Sequence, residues 1–211
     1  MFFNILFFYL TSLLAQGTSP VTPFNDSGRI IHPYLFFQSI AQRIPMDSLR
    51  LKQERLTAKA FVTKTGVFSF IEHPLNHDAL KDIAQGSYVK IRGQQFVPGN
   101  LILIESLKKI REVKNLPLSE LEQSQGKFVE LKGFNVCQCG LNLGSLPRTC
   151  SLGHFHHLQA VDGKTYHYFQ QREGIPLFLG AAPGYHYKNV SLTGELYPGN
   201  FIWVENAEII P

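Results

Sequence analysis

Charge is scarce in this sequence. Asp, Glu, Lys and Arg make up 17% of the 211 residues, below the quarter usual for a globular domain, which argues against a disordered chain or a coiled coil. Basic runs are short: the densest are Lys108-Lys109 and Lys52 to Arg55, the latter broken by Gln53 and Glu54, and the net charge is only +4. That is too weak for a nucleic-acid footprint. Catalytic signatures are missing as well. There is no Ser-centred elbow, no Gly-rich phosphate loop and no His-Glu-x-x-His, and no motif gathers the acidic residues. The expectation is therefore a non-enzymatic protein. Beyond residue 17, no apolar run is long enough to span a bilayer, which takes roughly 20 residues.

What the chain does contain suits a turn-rich β protein. Apolar residues reach 44%, enough for a core, with 17 Gly and 12 Pro. Residues 1–17, MFFNILFFYLTSLLAQG, carry no charged side chain and end in Ala15-Gln16-Gly17. Small residues at those positions fit a secretory signal cleaved after Gly17, so the mature chain is expected to begin at Thr18 in an extracytoplasmic compartment: periplasm, envelope or outside the cell. The segment lacks the basic n-region of such signals. Left uncleaved, it is instead a membrane anchor, the one membrane association the sequence offers. Residues 18–43 read as a linker and short helix: residues 18–33 are linker, with Pro20, Pro23, Pro33, Asn25-Asp26 and Ser27-Gly28, and Tyr34–Arg43 a short helix that Pro45 ends.

Beyond that the chain repeats. Ile44-Pro45-Met46-Asp47-Ser48-Leu49 resembles Leu116-Pro117-Leu118-Ser119-Glu120-Leu121. YVKIRGQQFVPGNLILIESLKKI (Tyr88–Ile110) resembles NVSLTGELYPGNFIWVENAEII (Asn189–Ile210). Pro98-Gly99-Asn100 recurs as Pro198-Gly199-Asn200. A tandem duplication accounts for agreement at both ends of the unit. Within a copy, Val89 and Ile91 alternate with Lys90 and Arg92 as a half-buried strand does. Gly93 and Gly194 mark a bulge or sharp bend, and Pro-Gly-Asn marks a turn, the proline presetting φ and the glycine accepting a positive one. Strands are expected at Leu56–Val62 and Phe128–Val136 as the equivalent first strands, then at Val67–Ile71. A short helix is expected over Asn76–Ala84.

The order strand–strand–strand–helix–strand–strand in about 70 residues is that of an OB-fold. The pattern Pro-x-x-x-Leu, then Val-x-Leu-x-Gly-x-x-x-Pro-Gly, resembles the OB-fold-type repeats of bacterial extracytoplasmic proteins over most of residues 44–211. The resemblance implies a fold and carries no catalytic residue. The expected architecture is mainly β: two tandem OB-fold-like small barrels, residues 44–113 and 117–211, joined near Lys114-Asn115. The second copy carries a Cys/His-rich inserted loop at residues 137–162.

That loop holds the chemistry. Cys137 to His157 reads CQCGLNLGSLPRTCSLGHFHH and contains all three cysteines and three of the eight histidines. Cys137, Cys139 and Cys150 supply three candidate thiolates, and His154, His156 and His157 candidate imidazoles, a set suited to zinc or copper. On an extended strand His154 and His156 share one face and His157 takes the other. Export makes a disulfide the competing use: Cys150 with Cys137 or Cys139, leaving a spare thiol. In that case the loop is a stapled contact surface for another envelope protein. If Val136 pairs with the strand near Leu158, the two ends of the loop meet under either use. A third use is an oligosaccharide or nucleic acid bound on the barrel face, with Tyr166, Tyr168, Phe169, Tyr185, His186 and Tyr187 as an aromatic platform; barrel packing is the plainer role for those rings. His73 and His77 form a spaced pair whose plainest role is solvated surface.

Overall fold

A computed structural model describes residues 21–43, 59–71, 73–137, 156–170, 185 and 187–211, with Cys137, Phe169 and Gln170 described by backbone alone. Those residues form two closed five-stranded barrels in tandem. The first comprises β1 (Val21–Ile31), β2 (Ala60–Val62), β3 (Val67–Phe70), β4 (Tyr88–Phe96) and β5 (Leu101–Lys109); the second comprises β6 (Lys127–Cys137), β7 (His156–Ala160), β8 (Thr165–Gln170), β9 (Asn189–Tyr197) and β10 (Phe201–Ile209). In both, the first strand pairs antiparallel with the second and the fourth, and the third runs parallel to the fifth. This is the five-stranded Greek-key barrel expected from the repeat.

The boundaries differ from expectation. Val21–Ile31 is a strand of the first barrel, not linker, so that barrel begins well before residue 44. The turn-forming residues mislead because β1 is only partly flanked by described strands. It pairs with β4 over Val21–Arg29 but with β2 only over Arg29–Ile31. Pro23 thus lies where one edge of β1 has no strand beside it among the described residues, a site that tolerates a missing N–H. Leu56–Val62 is accordingly not the counterpart of Phe128–Val136; Ala60–Val62 is the second strand and the counterpart of β7. Nor is the 137–162 segment an insertion peculiar to the second copy. Cys137 closes β6 and His156–Ala160 is β7, so the connection is residues 138–155, and residues 32–59 connect β1 to β2 in the first barrel.

Helical pieces are short. The expected helix after the first strand is split into α1 (Pro33–Phe36) and α2 (Gln38–Ala41), interrupted at extended Phe37. α3 (Pro74–Leu80) lies between β3 and β4. Its Asn76 is fully buried; the amide donates to the carbonyls of Ile71 (2.7 Å) and Ile102 (3.0 Å) and accepts from the Ile104 N–H (2.7 Å), fastening the helix across β3 and β5. α4 (Leu118–Glu122) precedes β6.

Matched glycines set the coil of both barrels. A side chain at Gly93 would run into the Leu103 carbonyl and one at Gly194 into that of Trp203. The ladders shift register at these places, between Arg92 and Gly93 and between Val204 and Asn206. This is the bulge expected from sequence. In the Pro-Gly-Asn turns the asparagine takes the left-handed conformation in both copies, Asn100 at φ 49° and Asn200 at φ 59°, which asparagine tolerates better than most residues.

The barrels meet in a pseudo-two-fold manner. Gly28 faces Val89 on β4 and Gly133 faces Val190 on β9, so Ile31 and Val136 are equivalent. Ile31 packs in one buried cluster with Tyr197, Phe201 and Trp203 of the second barrel; Val136 packs in another with Phe96, Leu101 and Leu103 of the first. The turns obey the same exchange: Gly99 abuts Thr165 on β8, and Gly199 abuts Val67 on β3. Each patch thus meets its own counterpart, as in an isologous dimer, here within one chain. α1 and α2 extend one half of this contact. The Phe37 and Tyr197 rings lie 4.9 Å apart, and Arg43 bonds Glu195 at 2.8 Å.

Candidate metal centre

The β6–β7 ladder positions the candidate residues. Asn135 stands opposite Leu158, Val136 opposite His157 and Cys137 opposite His156. The ends of the Cys/His segment therefore meet, as the hairpin argument expects. Cys139, Cys150 and His154 lie outside the described residues, as does His186. Strand alternation sends His156 and His157 to opposite faces, and the hydrogen bonds identify those faces.

His156 belongs to a polar group inside the second barrel. Asn135, fully buried, donates from Nδ2 to the Tyr185 carbonyl (2.8 Å) and to His156 Nδ1 (3.3 Å), while its Oδ1 accepts from Tyr168 OH (3.4 Å). The Tyr185 carbonyl fixes which end of the amide carries the hydrogens. His156 Nδ1 is then an acceptor, and in the neutral ring the proton sits on Nε2. Burial holds the Tyr168 phenol well above its usual range, so it stays protonated and donating.

His157 faces the first barrel. It is 3% exposed and its Nδ1 lies 2.8 Å from Nδ1 of His167, itself 4% exposed. His167 Nε2 lies 2.7 Å from the Gly99 carbonyl. A carbonyl only accepts, so His167 carries its proton on Nε2 and accepts at Nδ1, and His157 Nδ1–H donates to it. The remaining atom, His157 Nε2, is a bare lone pair. It is buried and has no hydrogen-bond partner among the described residues. Both rings are neutral near pH 7: burial first, then the neighbouring His167 and His156, hold His157 well below the usual histidine range, and burial brings His167 to about 4 against the opposing pull of the Gly99 carbonyl.

Sequence reasoning missed His167 and Asn135, and it read Tyr168 only as part of an aromatic platform. The repeat contained a signal. His167 pairs with Phe201 as Ser69 pairs with Leu101, and His157 pairs with His167 as Ala60 pairs with Ser69. The first barrel thus has Ala60 and Ser69 where the second has two histidines.

His73, Tyr166 and Tyr187 have other neighbours. His73 caps α3, its Nδ1 accepting from the Leu75 N–H at 3.2 Å. Tyr166 is buried and donates to Asp162 at 2.8 Å; Tyr187 is half-exposed beside Phe134, ring centres 6.0 Å apart. Among the described residues, no three His, Cys, Asp or Glu side chains are gathered as a metal ligand set, and no helix is long and apolar enough to cross a membrane. Comparison with protein-family models, with curated proteins and with solved structures yields no match.

Proposed function

We propose that this protein is an exported, non-enzymatic binding module whose second barrel holds a transition-metal ion, zinc or copper. Cys137, Cys139 and Cys150 supply thiolates, and the imidazole comes from His154, His156 or His157. The observation that carries the reading is the register that sets Cys137 opposite His156, bringing together the ends of a segment with two further cysteines. Thiolates and imidazoles brought to a hairpin base suit a tetrahedral ion. The uncharged apolar start and its Ala15-Gln16-Gly17 support export.

An oligosaccharide or nucleic-acid role on the barrel face is less well supported. OB-type ligands use the face of strands two and three with the turn between strands four and five. Here each barrel presents those parts to the other: Val67 meets Gly199, and Thr165 meets Gly99.

The test is metal analysis of native protein purified without chelator, beside a free-thiol count. Bound zinc or copper, with three thiols titrating after denaturation and none requiring a reductant, is the expected result. One free thiol and no metal would overturn the proposal in favour of a disulfide-stapled segment that contacts another envelope protein.

A further inference from the structure

We infer that copies of this protein associate head to tail, the outward face of β1, β4 and β5 of one copy seating on the outward face of β6, β9 and β10 of the next. This association is independent of the metal-binding reading above.

Strand alternation sorts the side chains of the first face. Val89, Ile91 and Leu107 pack into the barrel core, so Lys90, Arg92 and Lys108, which alternate with them, point outward. All three are exposed. The ladders set them in two rows: Ser27, Lys90 and Lys108 stand abreast, and beside them Asn25, Arg92 and Ser106. Lys90 is directly opposite Lys108, and like charges so placed destabilise a sheet. Among the described residues no carboxylate pairs with any of the three cations. The fold gains nothing from this arrangement, which points to a partner that does.

The matched rows of the second barrel carry the opposite sign. Lys132, Ser191 and Glu208 stand abreast, and beside them Glu130, Thr193 and Asn206. Glu208 and Glu130 are exposed. The one cation, Lys132, is already held by Glu130 at 3.2 Å. Glu105 and Glu205 sit at the bulges of the two barrels and so do not alter the contrast. One face thus has three cations and no anion in its rows, and its counterpart has two carboxylates and one neutralised cation.

A chain that repeats its frame but reverses the charge of one matched face is complementary to itself. Within one chain the barrels are joined elsewhere, through the Pro-Gly-Asn turns and the ends of β1 and β6. The basic rows of one copy are therefore open to the acidic rows of another. Contact between two different faces is heterologous and repeats, giving rings or open chains. Exposed charges of this kind give an association that salt weakens.

The experiment is sedimentation velocity of the full-length protein over a concentration series at low and high salt. The sedimentation coefficient should rise with concentration at an ionic strength of about 0.05 M, and the association should weaken at least about tenfold at about 0.5 M. Two double variants each reverse one face: Lys90→Glu with Lys108→Glu, and Glu130→Lys with Glu208→Lys. Alone, each should stay monomeric, because both of its faces then carry one sign. Mixed in equal amounts, the two should associate again. A wild type that is monomeric throughout overturns the inference, and polyglutamate binding to it, lost in the first variant, would assign the basic rows to a foreign acidic partner instead. Association that ignores salt, that persists in either variant alone, or that the mixture fails to restore overturns it as well. If a reversed variant does not fold, Lys90→Gln with Lys108→Gln takes its place: self-association should fall at least about tenfold, and unchanged association counts against the contact.

Discussion

At four matched positions the two barrels part company. Ile30, Ala60, Ser69 and Phe70 of the first correspond to Asn135, His157, His167 and Tyr168 of the second. Among the described residues the two share strand order, the glycines where strands cross closely, the left-handed asparagines and the exchanged apolar patches. The four differences are confined to the first three strands, at the end where β6 reaches Cys137. In the first barrel these positions hold three apolar residues and a serine. In the second they hold groups that donate, accept and fix tautomers. The two copies thus share a frame, and the second is the more polar at these core positions.

The shared frame can be broken first. Phe201 is fully buried in the cluster that joins the barrels. Phe201→Ala should cost about 3–5 kcal/mol, and its counterpart Leu101→Ala about 2–5 kcal/mol. Both should lower the midpoint of one cooperative denaturant transition; two separated transitions in the wild type would show that the barrels do not share a core.

The next effect belongs to the second barrel alone. His167 titrates near 4 when folded and near 6.5 when unfolded. Between these values the unfolded chain binds more protons, so stability rises with pH. The contribution is complete above pH 6.5 and is lost as pH falls toward 4, amounting to up to about 3 kcal/mol. His167→Ser, which installs the residue of the first barrel, should flatten stability over this window. An unchanged acid slope in that variant would contradict the assignment of neutral His167.

Smaller effects sharpen the comparison. Gly93→Ala and Gly194→Ala meet equivalent carbonyls and should each cost about 1–3 kcal/mol as strands shift to make room; a large loss for only one would break the equivalence of the bulges. Arg43 is 41% exposed and pairs with Glu195. Arg43→Ala should cost no more than about 1 kcal/mol, and less in high salt, by thermal melts at two ionic strengths.

Much of this frame was legible in the sequence because it rests on local chemistry. The Pro-Gly-Asn turns, the alternation in β4 and the glycines at the bulges each act within a few residues. The first strand was not legible. Pro23, Asn25-Asp26 and Ser27-Gly28 are turn chemistry by residue type, and only pairing with β4 shows them to be part of one long strand. That error moved the copies out of register and made the Cys/His segment look like an insertion. Cys137 and His156 were predicted to approach because a hairpin has one register. His167 went unnoticed because its partners are a strand neighbour and a turn about 70 residues away, a closeness only the folded barrels create.

The most direct measurement removes the pair that the β6–β7 register sets opposite one another. The double variant Cys137→Ser with His156→Gln changes two side chains at the end of that ladder and should still unfold cooperatively. Calorimetric titration with Zn²⁺ should give one site in the wild type and at least about 10-fold weaker binding in the variant. Unchanged Zn²⁺ affinity in the folded variant would contradict the account.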